Sequence, residues 1–292
     1  MKKMDRRDFI KTGIAGIAGI TVLQTGLALQ CSSVKKVDTV KLGKSGLIVP
    51  RMAMGTGTRG YNKSSNQVKL GMDTFVKLAH HAYERGARFY DSADGYGSMP
   101  YVGEAIKTLP REKITILSKL WTQDDSAEKL DSVSEHIDRF RKELGVDYID
   151  ILLMHCMQRG NWSATRKHYM EGFSKAKQAG IVKAIGVSCH NQEALAEAAV
   201  NPWVEVIMAR INPFGTNMDG KPEDIVKILA TAKANGKGII GMKIFGEGKN
   251  VETEEREKSI RFAFNEGNVH CLTLGFESIE QMDDAIDRVM SK

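Results

Sequence analysis

The fold is most plainly indicated by residues 145–155, which read Gly-Val-Asp-Tyr-Ile-Asp-Ile-Leu-Leu-Met-His. A glycine precedes a run of large or β-branched apolar residues that is continuous rather than alternating. Such a run is typical of a strand that is buried on both faces in a parallel sheet. The run ends in His155, so a reactive side chain stands at the carboxyl end of the predicted strand.

Seven other apolar runs of the same character are separated by amphipathic helical patterns. Eight alternations of strand and helix predict an α/β fold, a closed (β/α)8 TIM barrel, for which roughly 250 residues is an ordinary size. A Gly43-Lys-Ser-Gly46 turn between two short apolar runs in residues 39–50 predicts an N-terminal β-hairpin at the bottom of the barrel. The predicted strands are Arg51–Gly55, Arg88–Asp91, Ile114–Lys119, Tyr148–His155, Val182–Ser188, Val204–Ile211, Gly238–Ile244 and Val269–Gly275.

The helical patterns have the 3.6-residue period of helices with one buried face. Two further helices are expected after Tyr96 and after Asn191. The other predicted helices are Phe75–Arg85, Ala127–Leu144, Tyr169–Ala179, Glu223–Ala234, Glu254–Phe264 and Ile279–Met290. Glycines stand where left-handed C-caps are expected, at Gly86, Gly145, Gly180, Gly236 and Gly267.

A doubly wound open sheet is the rival architecture, and one motif speaks for it. Residues 55–60 read Gly-Thr-Gly-Thr-Arg-Gly, which is the glycine spacing of a dinucleotide-binding turn. That turn requires a helix to open at its last glycine, whereas residues 61–66 read as a polar loop. The barrel is therefore favoured.

Charge and cysteine content restrict the class of function. The net charge is +6, but residues 1–36 carry seven Lys or Arg against two Asp, which leaves 35 bases and 34 acids for the rest. A nearly neutral body offers no electrostatic surface for a phosphate backbone, so no nucleic-acid partner is predicted. The four cysteines match no zinc-site spacing, so no metal is predicted. Cys156 and Cys271 are interpreted as small buried apolar side chains.

The N-terminal segment is interpreted as a targeting signal rather than as part of the fold. Asp5-Arg-Arg-Asp-Phe-Ile-Lys11 precedes a glycine-rich apolar stretch and resembles a twin-arginine export signal. The resemblance implies passage through the twin-arginine export machinery, to the periplasm or to a membrane-anchored lipoprotein. Cleavage after residues 26–28, a lipid anchor at Cys31 and an uncleaved membrane anchor are the alternatives. The predicted organisation is a signal segment and linker at 1–36 and a barrel at 37–292.

Four side chains that can move or stabilise protons fall at or just after predicted strand ends, where barrel enzymes place their working residues. They are Asp91, Tyr96, Lys119 and His155. A tyrosine is a slow proton donor near neutral pH, and a neighbouring ammonium is expected to lower its pKa. A buried lysine needs a counter-charge, which Asp91 can supply. Singly, these residues read as a helix cap, a surface lysine and a structural histidine. Together, they predict acid–base catalysis.

These segments resemble the aldo-keto reductases over essentially all of residues 39–292. Further matching stretches are Lys41–Pro50, Gly145–His155 and Gly186–Ser188. The resemblance implies hydride transfer between a nicotinamide cofactor and a carbonyl or alcohol substrate. It implies that Tyr96 is the general acid/base and that Asp91, Lys119 and His155 support it.

The resemblance also implies a cofactor seat across the barrel mouth, and here the sequence departs from the family pattern. Cys189 replaces the usual Asn, Met208 the usual Gln, and Met242 the usual aromatic ring, while Ser188 is retained. Trp121 and His190 are predicted to bind the substrate. The predicted cofactor-binding residues are Gly55, Thr56, Ser188, Cys189, Met208, Met242, Lys243, Ile244, Phe245, Gly246, Gly275, Glu277, Ser278 and Gln281.

The acidic Glu277 lies where NADP-binding relatives usually carry Lys or Arg, so NAD is favoured over NADP. An exported enzyme lacks an obvious nicotinamide supply, which leads to the hypothesis that the cofactor is retained through turnover. The substrate is expected to be a small carbonyl or sugar-like molecule. The alternatives are a redox-neutral sugar-converting enzyme with retained cofactor and a non-catalytic binding or accessory subunit on the same fold.

Overall fold

The computed structural model describes residues 35–123 and 131–292. The predicted export signal, Cys31 and the predicted helix start at Ala127 lie outside the described residues.

Eight parallel strands form a closed barrel, as predicted. Each strand pairs with the next in chain order, and the last pairs with the first. In a closed barrel no strand edge is left unpaired. The strands are β3 (Met52–Gly55), β4 (Phe89–Asp91), β5 (Thr115–Trp121), β6 (Ile149–Met157), β7 (Val182–Cys189), β8 (Val206–Arg210), β9 (Gly238–Met242) and β10 (Cys271–Gly275).

The N-terminal hairpin is also confirmed. Strands β1 (Thr39–Lys41) and β2 (Ile48–Pro50) pair antiparallel. Leu42 and Val49 from the hairpin are fully buried in the same cluster as the barrel interior. The turn at Gly43 comes so close to the backbone of Gly238, where β9 begins, that a Cβ atom would clash. The hairpin therefore closes the amino-terminal end of the barrel, opposite the strand ends that carry the predicted site.

Helices follow the barrel strands and cover them. The described helices are α1 (Asn66–Lys69), α2 (Met72–Glu84), α3 (Met99–Ile106), α4 (Asp131–Leu144), α5 (Trp162–Thr165), α6 (Lys167–Gln178), α7 (Gln192–Val200), α8 (Pro222–Ala234), α9 (Thr253–Asn265) and α10 (Ile279–Val289). No helix opens at Gly60, which agrees with the rejection of a dinucleotide-binding turn. In the described parts of the chain, no helix has both the length and the apolar character to span a membrane.

Local signals set where several helices begin and end. Asn191 and Ser278 cap α7 and α10 by accepting a backbone N–H with their side chains. Of the five glycines predicted to be left-handed, Gly267 is the exception, because the positive φ falls on Asn268 instead. An asparagine tolerates this conformation through its short polar side chain.

The barrel interior shows how the sequence aims its side chains. Alternate residues of a strand point to opposite faces, so only every second residue enters the barrel. The interior consists of Leu42, Val49, Ala53, Phe89, Leu117, Ile151, Leu153, Ala184, Val206, Met208, Ile240, Met242 and Cys271. The intervening residues pack against the helices, as Met52, Ile116, Leu152 and Val187 do.

This alternation brings polar side chains together at the carboxyl end of the barrel. Each lies two positions beyond an interior residue and so follows it on the inner side. The residues are Asp91 after Phe89, Lys119 after Leu117, His155 after Leu153, Arg210 after Met208 and Thr273 after Cys271. Cys156 and Cys271 are buried free cysteines, as predicted.

Candidate active site

Asp91 and Lys119 form an ion pair inside the barrel mouth, which we call the inner pair. Lys119 donates to Asp91 Oδ1 and, over 2.9 Å, to the carbonyl oxygen of Ser92. The side chains are 1% and 7% exposed. Thr273 donates from its hydroxyl to the other carboxylate oxygen over 2.8 Å. Burial lowers the pKa of Lys119, and the charge and hydrogen bond of Asp91 oppose that shift.

Tyr96 lies in a short 3-10 turn after β4, and two glycines make room for its ring. A Cβ atom at Gly57 would overlap one edge of the ring, and a Cβ atom at Gly60 would overlap the other. Two glycines of the dinucleotide-like spacing therefore form the seat of this tyrosine. The Tyr96 hydroxyl makes no hydrogen bond to the described residues, and Tyr96 lines a cleft at the mouth.

The electrostatic environment of Tyr96 differs from the predicted one. Burial raises its pKa well above the ordinary value, and the negative charges of Asp91 and Glu247 add to the rise. The predicted lowering of this pKa is wrong in direction, because burial and these negative charges outweigh the nearby Lys119 ammonium. Lys119 Nζ lies over the ring face, 5.0 Å from the centroid, rather than at the hydroxyl. Tyr96 is thus a neutral phenol whose ring is in contact with a cation.

His155 ends the inner surface of β6 and packs edge-on against two aromatic rings. Its centroid is 5.6 Å from that of Tyr96 and 5.7 Å from that of Trp121. Burial lowers its pKa well below the ordinary value, and the Lys119 charge lowers it further. The imidazole is therefore neutral. Its Nδ1 is buried and has no hydrogen-bond partner among the described residues.

A second ion pair lies at the rim, and we call it the outer pair. Arg210 Nη1 donates to Asp219 over 3.1 Å, and Nη2 of the same guanidinium donates to His190 Nδ1. The Asp219 side chain is 3% exposed, and burial raises its pKa to about 6. Burial and the Arg210 charge lower the pKa of His190 to about 3. The His190 ring is 6.3 Å from that of His155.

The cleft beside Tyr96 has a volume of about 500 Å³. It runs along the carboxyl ends of β3, β9 and β10 to the start of α10. Nine of the residues predicted to bind a cofactor line it. They are Gly55, Met208, Met242, Lys243, Ile244, Phe245, Gly275, Glu277 and Gln281.

The other five predicted cofactor residues do not line the cleft. Thr56 and Cys189 are fully buried and directly follow inward-facing positions, so their side chains point away from the barrel axis. Ser188 accepts from the Cys156 N–H over 2.8 Å and fixes the β6 end, where Cys156 has a φ of +69°. Ser278 is the α10 cap, and Gly246 forms a turn at a φ of +57°.

Several polar residues at the mouth were missed by the sequence analysis, among them Thr273, Asp219 and Arg256. Thr273 had a usable signal, since it is the lone hydroxyl in the run Cys-Leu-Thr-Leu of β10. Asp219 had none, because it reaches Arg210 through an irregular loop. Arg256 comes from α9 and lines the outer end of the cleft, where Asp284 lies 3.5 Å from its Nε.

An acid–base cluster at the carboxyl ends of a parallel eight-stranded barrel defines the class of TIM-barrel enzymes. The family model described as "Aldo/keto reductase family" matches residues 52–290. The chain therefore belongs to the aldo/keto reductase family, a family of oxidoreductases.

Curated relatives agree with this assignment. Aldo-keto reductase AKR2E4 of Bombyx mori is 29% identical over 183 residues, which cover 59% of this chain and 57% of the relative. Methylglyoxal reductase DkgB of Salmonella typhimurium is 27% identical over 192 residues, which cover 64% and 67%. The matches thus span between about half and two thirds of these relatives.

Solved structures share the fold. Aldo-keto reductase AKR11C1 from Bacillus halodurans superposes with a TM-score of 0.71 at 17% identity and covers 88% of this chain and 92% of that chain. The Bombyx mori AKR2E4 structure, solved in complex with NADP, has a TM-score of 0.65 at 19% identity. It covers 88% of this chain and 92% of that chain.

Proposed function

We propose that the protein interconverts a carbonyl compound and its alcohol with a nicotinamide cofactor, and that Tyr96 is the general acid/base. One observation carries the proposal. The Tyr96 hydroxyl is unpartnered among the described residues on the wall of the cleft, while its ring packs against both the buried Lys119 cation and the neutral imidazole of His155. A carbonyl oxygen at this point would meet a proton donor, a neutral imidazole and a nearby positive charge.

In the proposed reduction, the substrate oxygen accepts a hydrogen bond from Tyr96, and the His155 imidazole fixes its position. A nicotinamide bound in the cleft would supply the hydride to the carbonyl carbon. As negative charge develops on the oxygen, the Tyr96 proton moves to it. Lys119 stabilises the tyrosinate that remains, because its ammonium is held under the ring. The raised pKa keeps Tyr96 protonated at neutral pH, which suits the reductive direction.

The residues of the cleft fit a nicotinamide dinucleotide. Met208 and Met242 give an apolar floor near Tyr96, which suits the flat face of a nicotinamide. Glu277, Gln281 and Arg256 form a polar outer end, which suits ribose hydroxyls. These residues would hold the cofactor.

We propose that NAD is preferred to NADP, although the Bombyx mori relative was solved with NADP. Glu277 and Asp284 line the outer end, and their negative charges would repel a 2′-phosphate. Arg256, the cation at that end, is already close to Asp284. The ratio of kcat/KM for NADH to that for NADPH is expected to exceed one. A ratio below one would contradict the preference.

The test of the function is Tyr96→Phe, assayed with methylglyoxal, because relatives carry the name methylglyoxal reductase. We expect kcat to fall at least about a hundredfold, which is the usual contribution of a general acid. NADH binding, followed by protein fluorescence, is expected to persist. Tyr61→Phe is the matched control, since Tyr61 is 81% exposed. Equal turnover by Tyr96→Phe and wild type would contradict the proposal.

We also propose that residues 1–36 direct export through the twin-arginine machinery, with cleavage or lipidation at Cys31 as alternative ends. The support is the Arg6-Arg7 pair before an apolar stretch. Replacing both arginines by lysine is expected to block export and leave the protein on the cytoplasmic side of the inner membrane, as cell fractionation would show.

We further propose that the cofactor is retained through turnover. Denatured mature protein is then expected to release a nucleotide detectable by mass spectrometry.

A further inference from the structure

The outer pair fixes the protonation of one ring. A guanidinium can donate hydrogen bonds but cannot accept them, so the His190 Nδ1 that meets Arg210 must be the acceptor. Because the pKa of His190 is lowered to about 3, the ring is neutral and carries one proton. That proton is on Nε2. Asp219 holds Arg210 from the other side, so the guanidinium is anchored at both ends.

The Nε2 atom of His190, the residue after β7, is not fully enclosed by protein. Nε2 makes no hydrogen bond to the described residues. It is also absent from the fully buried polar atoms that lack a partner, so part of its surface is exposed. The His155 ring stands 6.3 Å away and nearly perpendicular to it. With hydrogen bonds of about 2.9 Å, two imidazoles at this separation can reach oxygens on neighbouring carbons.

The charges at the mouth indicate a neutral ligand. Among the described residues, three cations at the mouth each have a carboxylate partner. The pairs are Lys119 with Asp91, Arg210 with Asp219 and Lys243 with Glu247. An anionic substrate would find no free cation among these three residues.

We infer that His190 donates from Nε2 to a second oxygen of the substrate, on the carbon next to the carbonyl that Tyr96 and His155 bind. The inference rests on the proposed function and names its substrate class, neutral α-hydroxy carbonyl compounds. Arg210 and Asp219 are positioning residues that act through His190. A carbonyl compound without the second oxygen leaves the Nε2–H unpaired in the closed complex, which a site built for that hydrogen bond disfavours.

Lactaldehyde and propanal test the inference, because they differ only by the hydroxyl group. We expect wild type to prefer lactaldehyde, and we expect His190→Phe to reduce the ratio of the two kcat/KM values about tenfold, the worth of one hydrogen bond. Arg210→Met is expected to reduce the same ratio by releasing the ring. Arg51→Met is the control, since Arg51 is paired with Asp38 near the hairpin.

The outcomes separate this inference from the proposed function. Equal use of both aldehydes by wild type, abolished by Tyr96→Phe, would overturn the inference and leave the function standing. Turnover of neither aldehyde would overturn both. A structural readout needs no variant, since nitrogen-15 NMR of the wild-type histidines distinguishes the two tautomers. An Nε2–H signal for His190 is expected, and an Nδ1–H signal would overturn the inference.

Discussion

The inner and outer pairs each join a buried carboxylate to a cation, and each cation contacts a neutral ring. In the inner pair, Lys119 lies over the face of Tyr96 and does not touch its hydroxyl. In the outer pair, Arg210 donates to the edge of His190 and dictates where its proton sits. In the inner pair, Lys119 is placed to stabilise a negative charge that forms on Tyr96. In the outer pair, Arg210 disfavours a positive charge on His190.

The two pairs also differ in how fully their members are satisfied. The Asp91 carboxylate accepts from Lys119 and from the Thr273 hydroxyl, one donor for each oxygen. The Asp219 carboxylate has Arg210 as its only hydrogen-bond partner among the described residues. Burial accordingly raises the pKa of Asp219 to about 6. The outer pair is therefore expected to respond to a change of pH.

Lys119→Met should have the largest effect on stability, because it breaks the inner pair and leaves the Asp91 carboxylate buried without its cation. We expect the free energy of unfolding to fall by about 3–5 kcal/mol, as measured by denaturant titration. Lys107→Met is the matched control, because Lys107 pairs with Glu104 on an exposed surface and should cost under about 1 kcal/mol. Equal losses in the two variants would refute the contrast between buried and surface pairs.

The pH dependence of stability should isolate the outer pair, with an intermediate effect. The pKa of Asp219 is raised to about 6 from 3.8. Its stabilising contribution is therefore complete below the unfolded value and is lost as the pH rises through about 6. Relative to Asp219→Asn, wild type is expected to lose up to about 3 kcal/mol between pH 4 and pH 7 in urea unfolding. A constant difference across that range would show that Asp219 ionises normally.

Thr273→Val should have the smallest effect on stability of the three changes, and it tests the second hydrogen bond that distinguishes Asp91 from Asp219. The substitution keeps the shape of the side chain but removes the donor to Asp91 Oδ2. A loss of about 1.5 kcal/mol in unfolding free energy is expected, together with a lower kcat, because a hydrogen bond to a charged group is lost. Thr273→Ser keeps the hydroxyl and should recover most of both. Failure of the serine variant to recover either quantity would mean that the methyl group, not the hydroxyl, matters.

The strand alternation explains why much of the site could be predicted from sequence. Asp91, Lys119 and His155 each continue an inward-facing row, so locating the strands was enough to bring them together. The same rule would have turned Thr56 and Cys189 away from the cleft, since each directly follows an inward-facing position. A family motif by itself does not show which side of a strand a residue faces.

Other features lay beyond sequence patterns. The partnership of Asp219 with Arg210 depends on the path of the loop after β8, which no periodicity fixes. The pKa of Tyr96 depends on how fully its phenol is buried and on the negative charge of Asp91 beside it. Both are properties of packing in three dimensions, so the sequence predicted the participants but not the direction of the shift.

The seat of Tyr96 against Gly57 and Gly60 has a mechanical consequence. A six-membered ring held this close to a peptide backbone is expected to rotate by half a turn only when that backbone moves away. Reversal of the ring exchanges its two sides, and this exchange broadens their NMR signals. The rate at which the Tyr96 ring reverses would therefore report how often residues 57–60 move away from it.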